Sequence, residues 1–260
     1  EDISAWQDDK GVVCLECDID MKKAKKLPLI MAFNGVFDGN GHTISGLKLI
    51  DTKGKYVGLF PLINAGAVIN ASCSMKVTSG SEPCVRGFIV NINSGTLRNC
   101  ENYGSIQHSA GVTNGYISIG GLCGRNRYVL IDCKNGGDIR SEAVIATTSK
   151  KAGLYIGGLA GGSHKNLSCA SYIRCENRGN ITVTSDMPQS FVGGIAGQSV
   201  KATIKHCVNH GTVAVMAEKG AEKVGGRVYM GGVAGHTNAH IVCCDNFGQR
   251  VSIRCVWRVL

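Results

Sequence analysis

Cysteine, asparagine and glycine recur together in this chain, and a thiol beside an amide could act as a nucleophile or a metal ligand. The unit Cys-x-Asn-x-Gly occurs five times. Its members are Cys100, Cys133, Cys175, Cys207 and Cys244, then Asn102, Asn135, Asn177, Asn209 and Asn246, then Gly104, Gly137, Gly179, Gly211 and Gly248. Metal sites need clustered ligands, whereas these cysteines lie one repeat apart. The spacing therefore predicts a repeating architecture rather than a reactive site.

Two other groups have the residue types of a metal or catalytic site. Cys14 and Cys17 form one CxxC pair, but no second pair follows, so strand positions are favoured over zinc. Asp38, Asn40 and His42 surround two glycines, and a hydrogen-bonded Asx-type turn is the favoured interpretation. We expect no metal and no cofactor.

Glycosidase chemistry would need two carboxylates at a defined separation. Glu101 and Glu176 occupy equivalent repeat positions two units apart. Strand spacing places them roughly 10 Å apart, beyond the inverting range of about 6.5–9.5 Å. Lys134 lies between them, which favours a surface charge ladder. No GxSxG motif is present, and none of the seven histidines pairs with a nucleophile in a recognisable motif.

The elements that would position these residues are short strands. Glycine-rich segments such as GGLCG, GGLAG, GGIAG and GGVAG alternate with the cysteine segments from residue 58 onward. A repeat of roughly 35 residues could also be a helix pair. The glycines, the many β-branched residues and the lack of a 3.6-residue period favour strands instead.

The sequence therefore predicts an all-β fold, a right-handed parallel β-helix of about six or more coils with three short strands each. Residues 1–57 would form an N-terminal cap and a first irregular coil, 58–250 the repeat helix and 251–260 a closing strand. All three would belong to one structural domain.

Stacking assigns a role to each recurring residue. The cysteines should point inward as mostly free thiols, because in-register parallel strands direct their Cβ atoms side by side. Each asparagine should bond backbone groups at a turn or the asparagine above it. The glycines are expected to take positive φ at the same corner.

The pattern GGLxG followed by apolar-x-x-Cys-x-Asn-x-Gly-x-Ile/Val resembles the GLUG-type repeats of bacterial cell-surface proteins. The stretch FNGVFDGNGHTISGL, with LECDIDM before it and YVGLF after it, is similar to the N-terminal part of such proteins in Bacteroides relatives. The resemblance covers residues 11–250. It implies an exported, adhesin-like β-helix and supplies no catalytic residues.

Ligand-binding residues are predicted on one face. Tyr155, Phe191 and Tyr229 occupy the same repeat position, so stacking would form an aromatic stripe that could hold sugar rings. The alternative is that the rings pack beneath adjoining loops. Those loops vary most in length and carry the basic residues Lys150, Lys151 and Arg227, which could face an acidic partner.

Charge and composition limit the partners. A net charge of +9 favours an anionic glycan or surface, or merely keeps the protein soluble. No basic patch with interleaved aromatic residues suggests nucleic-acid binding, and no apolar run suggests a membrane span. We expect an extracellular or cell-surface, adhesin-like or glycan-binding protein without catalytic activity. The alternatives are a polysaccharide lyase or glycosidase on a β-helix, and a structural spacer of a larger surface protein.

Overall fold

The structure is a computed structural model that describes residues 11–23, 33–51, 56–79, 85–87, 90–112, 115–145, 152–162, 170–217 and 227–253. Every regular element in this part of the chain is a strand. The strands are β1 (Val12–Cys14), β2 (Ile19–Asp20), β3 (Val36–Asp38), β4 (Thr43–Asp51), β5 (Tyr56–Val57), β6 (Phe60–Ile63), β7 (Ala67–Ile69), β8 (Ser72–Ser79), β9 (Val85–Gly87), β10 (Val90–Asn93), β11 (Thr96–Arg98), β12 (Glu101–Asn102), β13 (Ser105–Val112), β14 (Tyr116–Gly120), β15 (Cys123–Asn126), β16 (Val129–Ile131), β17 (Lys134–Asn135), β18 (Ile139–Ile145), β19 (Gly153–Gly157), β20 (Ala160–Gly162), β21 (Ser171–Ile173), β22 (Glu176–Asn177), β23 (Ile181–Ser185), β24 (Gln189–Gly193), β25 (Ala196–Ser199), β26 (Thr203–Lys205), β27 (Val208–Asn209), β28 (Val213–Ala217), β29 (Arg227–Gly231), β30 (Ala234–Thr237), β31 (His240–Val242), β32 (Asp245–Asn246) and β33 (Arg250–Ile253).

The strands form four parallel sheets, and each strand pairs with its counterpart one repeat away. Sheet A holds β1, β3, β7, β11, β16, β21, β26 and β31; sheet C holds β6, β10, β15, β20, β25 and β30; sheet D holds β5, β9, β14, β19, β24 and β29; sheet B holds the remaining 13 strands. Within a repeat the chain visits D, C, A and then B. The all-β prediction is confirmed, and this pairing is compatible with a parallel β-helix.

The repeat has more strands than predicted. From β14 to β18 the chain makes five strands in four sheets, not three. One of the two extra breaks comes from the residue before each ladder cysteine, which has a φ of 50° to 55° in Asn99, Asp132, Arg174, His206 and Cys243. A single left-handed residue ends the sheet A strand and redirects the chain into sheet B.

The ladder glycines do not take positive φ, so that prediction was wrong. Among the described residues the positive-φ glycines are Gly41, Gly46 and Gly115. The ladder glycines are needed for close approach instead. A Cβ on Gly137 would lie within 3.0 Å of the Gly104 carbonyl oxygen, and a Cβ on Gly179 would meet that of Gly137 in the same way. Stacked turns at this corner leave no room for a side chain.

The core runs continuously through the repeats. Leu97, Leu130, Tyr172 and Ile204, three residues before their cysteines, are fully buried. At the last described repeat Ile241 is 44% exposed, because no further described strand lies over it. The first strands, β1 to β4, join sheets A and B, and β33 pairs in parallel with β28. Residues 254–260, the rest of the predicted closing strand, lie outside the described residues.

Candidate functional site

The residues of the predicted aromatic stripe lie side by side on neighbouring strands. Ser118, Tyr155, Phe191 and Tyr229 are successive partners across sheet D. The Tyr155 and Phe191 rings stack with centroids 5.4 Å apart and planes 4° apart, and Phe191 stacks on Tyr229 at 5.0 Å and 22°. Each ring therefore lies against the next along the stacking direction.

The stripe offers little open surface to a sugar. Tyr155 is 9% exposed and Phe191 is 5% exposed, whereas Tyr229 in the last described repeat is 39% exposed. Burial is the main cause that raises the pKa of Tyr155 to about 12. Packed rings were the alternative to a binding stripe that the repeat pattern left open. Of the predicted ligand-binding aromatics, only Tyr229 has a substantial exposed surface.

Of the three predicted basic ligand-binding residues, the structure describes only Arg227. Lys150 and Lys151 lie outside the described residues. Arg227 is exposed at the start of β29, two residues from Tyr229, and pairs in register with Gln189. The His236 ring lies 4.9 Å from the Phe191 ring and 6.2 Å from the Tyr229 ring. Arg227, Tyr229 and His236 thus form a small exposed surface at one end of the stripe.

The cysteine ladder is an interior feature. Cys100, Cys133, Cys175 and Cys207 are buried free thiols, and Cys244 is half-buried. Each thiol donates to the carbonyl oxygen two residues before it, at 3.2 Å for Cys133 and 3.3 Å for Cys175. Burial raises the pKa of Cys133 and Cys175 well above the usual thiol value. Thiols that stay protonated are poor nucleophiles and poor metal ligands.

The asparagine ladder is a continuous chain of hydrogen bonds. The Asn102 amide nitrogen donates to Asn135 Oδ1 at 2.6 Å, Asn135 to Asn177 at 2.7 Å and Asn177 to Asn209 at 2.7 Å, and the last link to Asn246 is 2.8 Å. The same nitrogens donate to the carbonyl of the ladder glycine two residues on, for example Asn135 to Gly137 at 2.9 Å. The predicted bonding to backbone and neighbouring amides is confirmed.

The asparagines also explain the double glycines. A Cβ on the second glycine of a pair would lie within 3.0 Å of an asparagine side chain: Gly121 against Asn135 and Gly158 against Asn177. The corner between sheets D and C therefore packs directly on the asparagine ladder. Two motifs that are separate in sequence form one interior contact.

The cluster at Asp38, Asn40 and His42 is a turn, as expected. The Asn40 amide donates to Asp38 Oδ1 at 2.8 Å, which is the Asx-turn bond, and Asn40 Nδ2 donates to Leu15 O at 3.2 Å. The Asp18 carboxylate contacts His42 Nδ1 at 3.3 Å and accepts from the Thr43 amide at 2.9 Å. No group of three potential metal ligands occurs in the part of the chain that the structure describes.

The carboxylates Glu101 and Glu176 each contact basic side chains on the outer face of sheet B. Lys134 Nζ lies 2.8 Å from Glu101 Oε1, while Arg178 Nε and His210 Nε2 lie 2.6 and 3.2 Å from Glu176 Oε1. The Lys134 hydrogen bond, followed by that of the Tyr103 hydroxyl, lowers the pKa of Glu101. A general acid needs the opposite shift. The geometry supports the predicted charge ladder.

An open cleft lies beside this ladder, and we call it the basic cleft. It has a volume of about 610 Å³ and runs across successive repeats on sheet B. Its lining consists of Lys22, Ser45, Gly46, Leu47, Lys48, Ser74, Met75, Lys76, Tyr103, Gly104, Ser105, Gly136 and Asp138. Three lysines and one carboxylate leave the lining basic. Tyr103 is 58% exposed, so its ring is available to a ligand.

A bulge in β4 forms part of the cleft wall. Ser45 pairs with Ser74 and Lys48 with Lys76, so β4 contains one residue more than β8 between these pairs. Gly46 has a φ of +76°, and a Cβ there would lie within 3.0 Å of Asp20 and Lys22 atoms. The extra residue shifts the register between the second half of β4 and its partner strand β8 by one residue.

The cleft was not predicted from the sequence, because the bulge in β4 changes the offset between equivalent residues of β4 and β8. Lys48 and Lys76 occupy one repeat position, but a fixed offset between units does not superpose them. The exposed Tyr103 was visible only as the variable residue of a Cys-x-Asn-x-Gly unit. An alignment that allowed one inserted residue at Gly46–Leu47 would have brought the two lysines together.

Comparisons with known proteins find one relative that matches part of the chain and one solved structure with a similar fold. No protein-family model matches the chain. Halomucin of Haloquadratum walsbyi is 32% identical over 123 residues, which is 46% of this chain and 1% of halomucin. The chain therefore matches a very small part of that relative's length.

A solved structure shares the architecture. The crystal structure of a Bacteroides ovatus protein with the provisional name immunoglobulin A1 protease has a TM-score of 0.65 and 16% identity, covering 93% of this chain and 77% of that one. At this identity the likeness shows the fold alone. Among the described residues of our chain, no helix is long and apolar enough to cross a membrane.

Proposed function

We propose that this chain is an exported, adhesin-like surface module that binds carbohydrate in the basic cleft, on a right-handed parallel β-helix of about six coils. The exposed Tyr103 ring is the observation that carries the proposal. An aromatic face can stack on the apolar face of a sugar. Ser45, Ser74 and Ser105 place hydroxyls in the same cleft, where they can exchange hydrogen bonds with sugar hydroxyls.

The surface location rests on the resemblance to GLUG-type repeats of Bacteroides relatives. The parallel sheets and the Bacteroides ovatus neighbour support it at the level of fold. A rigid stack of repeats suits surface display, because it holds a binding cleft in one geometry.

Glycan-array binding with three variants tests the proposal. Tyr103→Ala should lower binding about tenfold or more, and Tyr103→Phe should retain most of it because the ring remains. Tyr128→Ala is the matched control, since Tyr128 is 47% exposed and does not line the cleft. Equal binding by Tyr103→Ala and the unchanged protein would refute the proposed cleft.

A proteolytic function, suggested by the neighbour's name, has less support in the described residues. His108 Nδ1 lies 3.1 Å from Ser141 Oγ, but both side chains are fully buried, out of reach of a peptide. Burial raises the pKa of the ladder thiols Cys133 and Cys175. A polysaccharide-degrading function also has less support, because the carboxylates Glu101 and Glu176 are ion-paired with basic side chains.

The second candidate function is a structural spacer in a longer surface protein. The match to 1% of halomucin shows that similar sequence can form a small part of a far longer chain. A spacer would show no glycan binding by any face, and an array without hits, using folded protein, would favour it over the binding module.

A further inference from the structure

The basic cleft contains an uncompensated pair of like charges. Lys48 of β4 and Lys76 of β8 are direct register partners, so their Cα atoms lie about 4.8 Å apart. Both side chains are exposed. Among the described residues neither lysine forms an ion pair. Like charges directly opposite each other destabilise a sheet.

Elsewhere the described strands avoid this arrangement. Lys134 has Glu101 on one neighbouring strand and Glu176 on the other. Arg174 makes a two-pronged contact with Asp132 at 2.7 and 2.9 Å across adjacent repeats. Lys48 and Lys76 are the one pair of like charges in register among the described strand pairs. The fold therefore keeps an unfavourable pair inside its candidate binding cleft.

Resting on the proposed function, we propose that the ligand of the basic cleft is a linear polyanionic glycan laid along the stacking direction. Lys48 and Lys76 would contact acidic groups on neighbouring sugars. Lys22, on the preceding repeat, extends the row by one step, since the adjacent Met21 amide donates to Ser45 O. Unlike the other two lysines, it has an ion-pair partner among the described residues, Asp20 Oδ2 at 3.5 Å, in an exposed pair of the kind that contributes little. The repeat spacing is close to the length of one sugar residue, so each repeat can meet one sugar.

The cleft also indicates where the acidic stretch of the ligand ends. Along the same row, Lys76 is followed by Ser105 and then by the Asp138 carboxylate, which accepts from the Asn180 amide at 2.8 Å. A carboxylate repels a further anionic group. We infer a site for two or three acidic sugars, with the Tyr103 ring beside them.

The side chains that line the basic cleft favour a glycan over a nucleic acid as the ligand. Single-stranded nucleic acid is held by several aromatic platforms along a basic groove. The cleft lining contains one aromatic ring, three serines and an opposing carboxylate. Carboxylates of uronic acids and sulfate esters share the required chemistry, and the test separates these two sources.

Titration calorimetry with four probes tests the inference. The probes are an oligogalacturonate, its methyl ester, a sulfated oligosaccharide and a single-stranded oligonucleotide. The double variant Lys48→Gln plus Lys76→Gln should bind the acidic oligosaccharides about tenfold or more weakly, with a shallower salt dependence. Its binding of the neutral ester should be unchanged.

A control variant keeps the net charge matched. Lys201→Gln plus Lys205→Gln removes two exposed lysines outside the cleft and should leave binding unchanged. The Lys48→Gln plus Lys76→Gln variant should also melt at a higher temperature than the unchanged protein, because the like-charge pair is gone. A folded variant with weaker binding and a raised midpoint excludes general damage as the cause.

The outcomes distinguish this inference from the proposed function. Equal binding of the acid and its ester, still lost in Tyr103→Ala, would overturn the inference and leave carbohydrate binding in place. Binding of no oligosaccharide would overturn both. Tightest binding of the oligonucleotide, or an equal loss in the Lys201/Lys205 control, would also overturn the inference.

Discussion

Replacing Asn135 by alanine tests whether the asparagine ladder stabilises the stacked repeats. Asn135 is fully buried and makes four hydrogen bonds. Its amide nitrogen donates to Asn177 Oδ1 at 2.7 Å and Gly137 O at 2.9 Å, and its oxygen accepts from Asn102 at 2.6 Å and the Gly137 amide at 3.3 Å. One side chain thus joins three repeats.

The expected cost follows from the groups that lose a partner. Asn102 Nδ2 keeps its 3.2 Å bond to Gly104 O, but Asn177 Oδ1 and both Gly137 backbone groups lose their bond to Asn135. A buried polar group left unpaired costs about 1–3 kcal/mol. Water that enters the space of the lost amide would offset part of this free-energy cost. We expect the free energy of unfolding to fall by about 3–5 kcal/mol.

Urea unfolding followed by circular dichroism measures this change, with hydrogen exchange at the Gly137 amide as a local probe. Exchange there should accelerate about 100-fold or more, because about 1.4 kcal/mol corresponds to a factor of ten. Asn246→Ala is the matched control. Asn246 is exposed, so water can replace its bonds and the loss should stay below about 1 kcal/mol. Equal small losses for both variants would refute the reasoning.

The remaining predictions concern the turns and the thiols. Gly137→Ala should destabilise the protein by more than about 2 kcal/mol because its Cβ would meet the Gly104 carbonyl, whereas Gly136→Ala, with a nearest atom at 3.4 Å, should change the urea midpoint little. His206→Asn should stabilise by about 0.5–1 kcal/mol, since asparagine tolerates the φ of 55° better than histidine; an unchanged midpoint would contradict this. Stability should fall as pH rises above about 9, because folded Cys133 and Cys175 retain protons that the unfolded chain releases, by about 1.4 kcal/mol per pH unit for each thiol. Urea midpoints at pH 8 and 10 check this: Cys175→Ala should reduce the slope, and the exposed-site control Cys17→Ser should not.

Much of the interior was predictable because parallel stacking converts a sequence period into spatial neighbours. The inward positions of Leu97 and Leu130, the buried thiols and the bonded asparagines all follow from one repeat and its alternation. The alignment of Tyr155 with Phe191 followed in the same way. Where no bulge interrupts a strand, register follows from the period alone, and the period can be read from the sequence.

Exposure and strand count were not predictable in this way. The left-handed residue before each cysteine is asparagine or aspartate at Asn99 and Asp132 but arginine at Arg174, so residue type does not reveal the bend in every repeat. The stripe rings pack on one another and on neighbouring rings, Tyr116 against Tyr155 and His236 against Phe191, and the repeat period alone does not show how much of each ring these contacts cover. The open surface proved to be on sheet B, at the basic cleft.

The cysteine, asparagine and glycine ladders follow from the repeat pattern, since similar units stacked in parallel must place equivalent residues together. The reason that each glycine is required, and the set of side chains that can reach a ligand, follow only from the folded arrangement. Both depend on distances between atoms that are remote in the chain: the Gly104 carbonyl against Gly137, and Lys48 opposite Lys76 after a one-residue bulge. A repeat pattern specifies which residues are neighbours, but only packing specifies how much space lies between them.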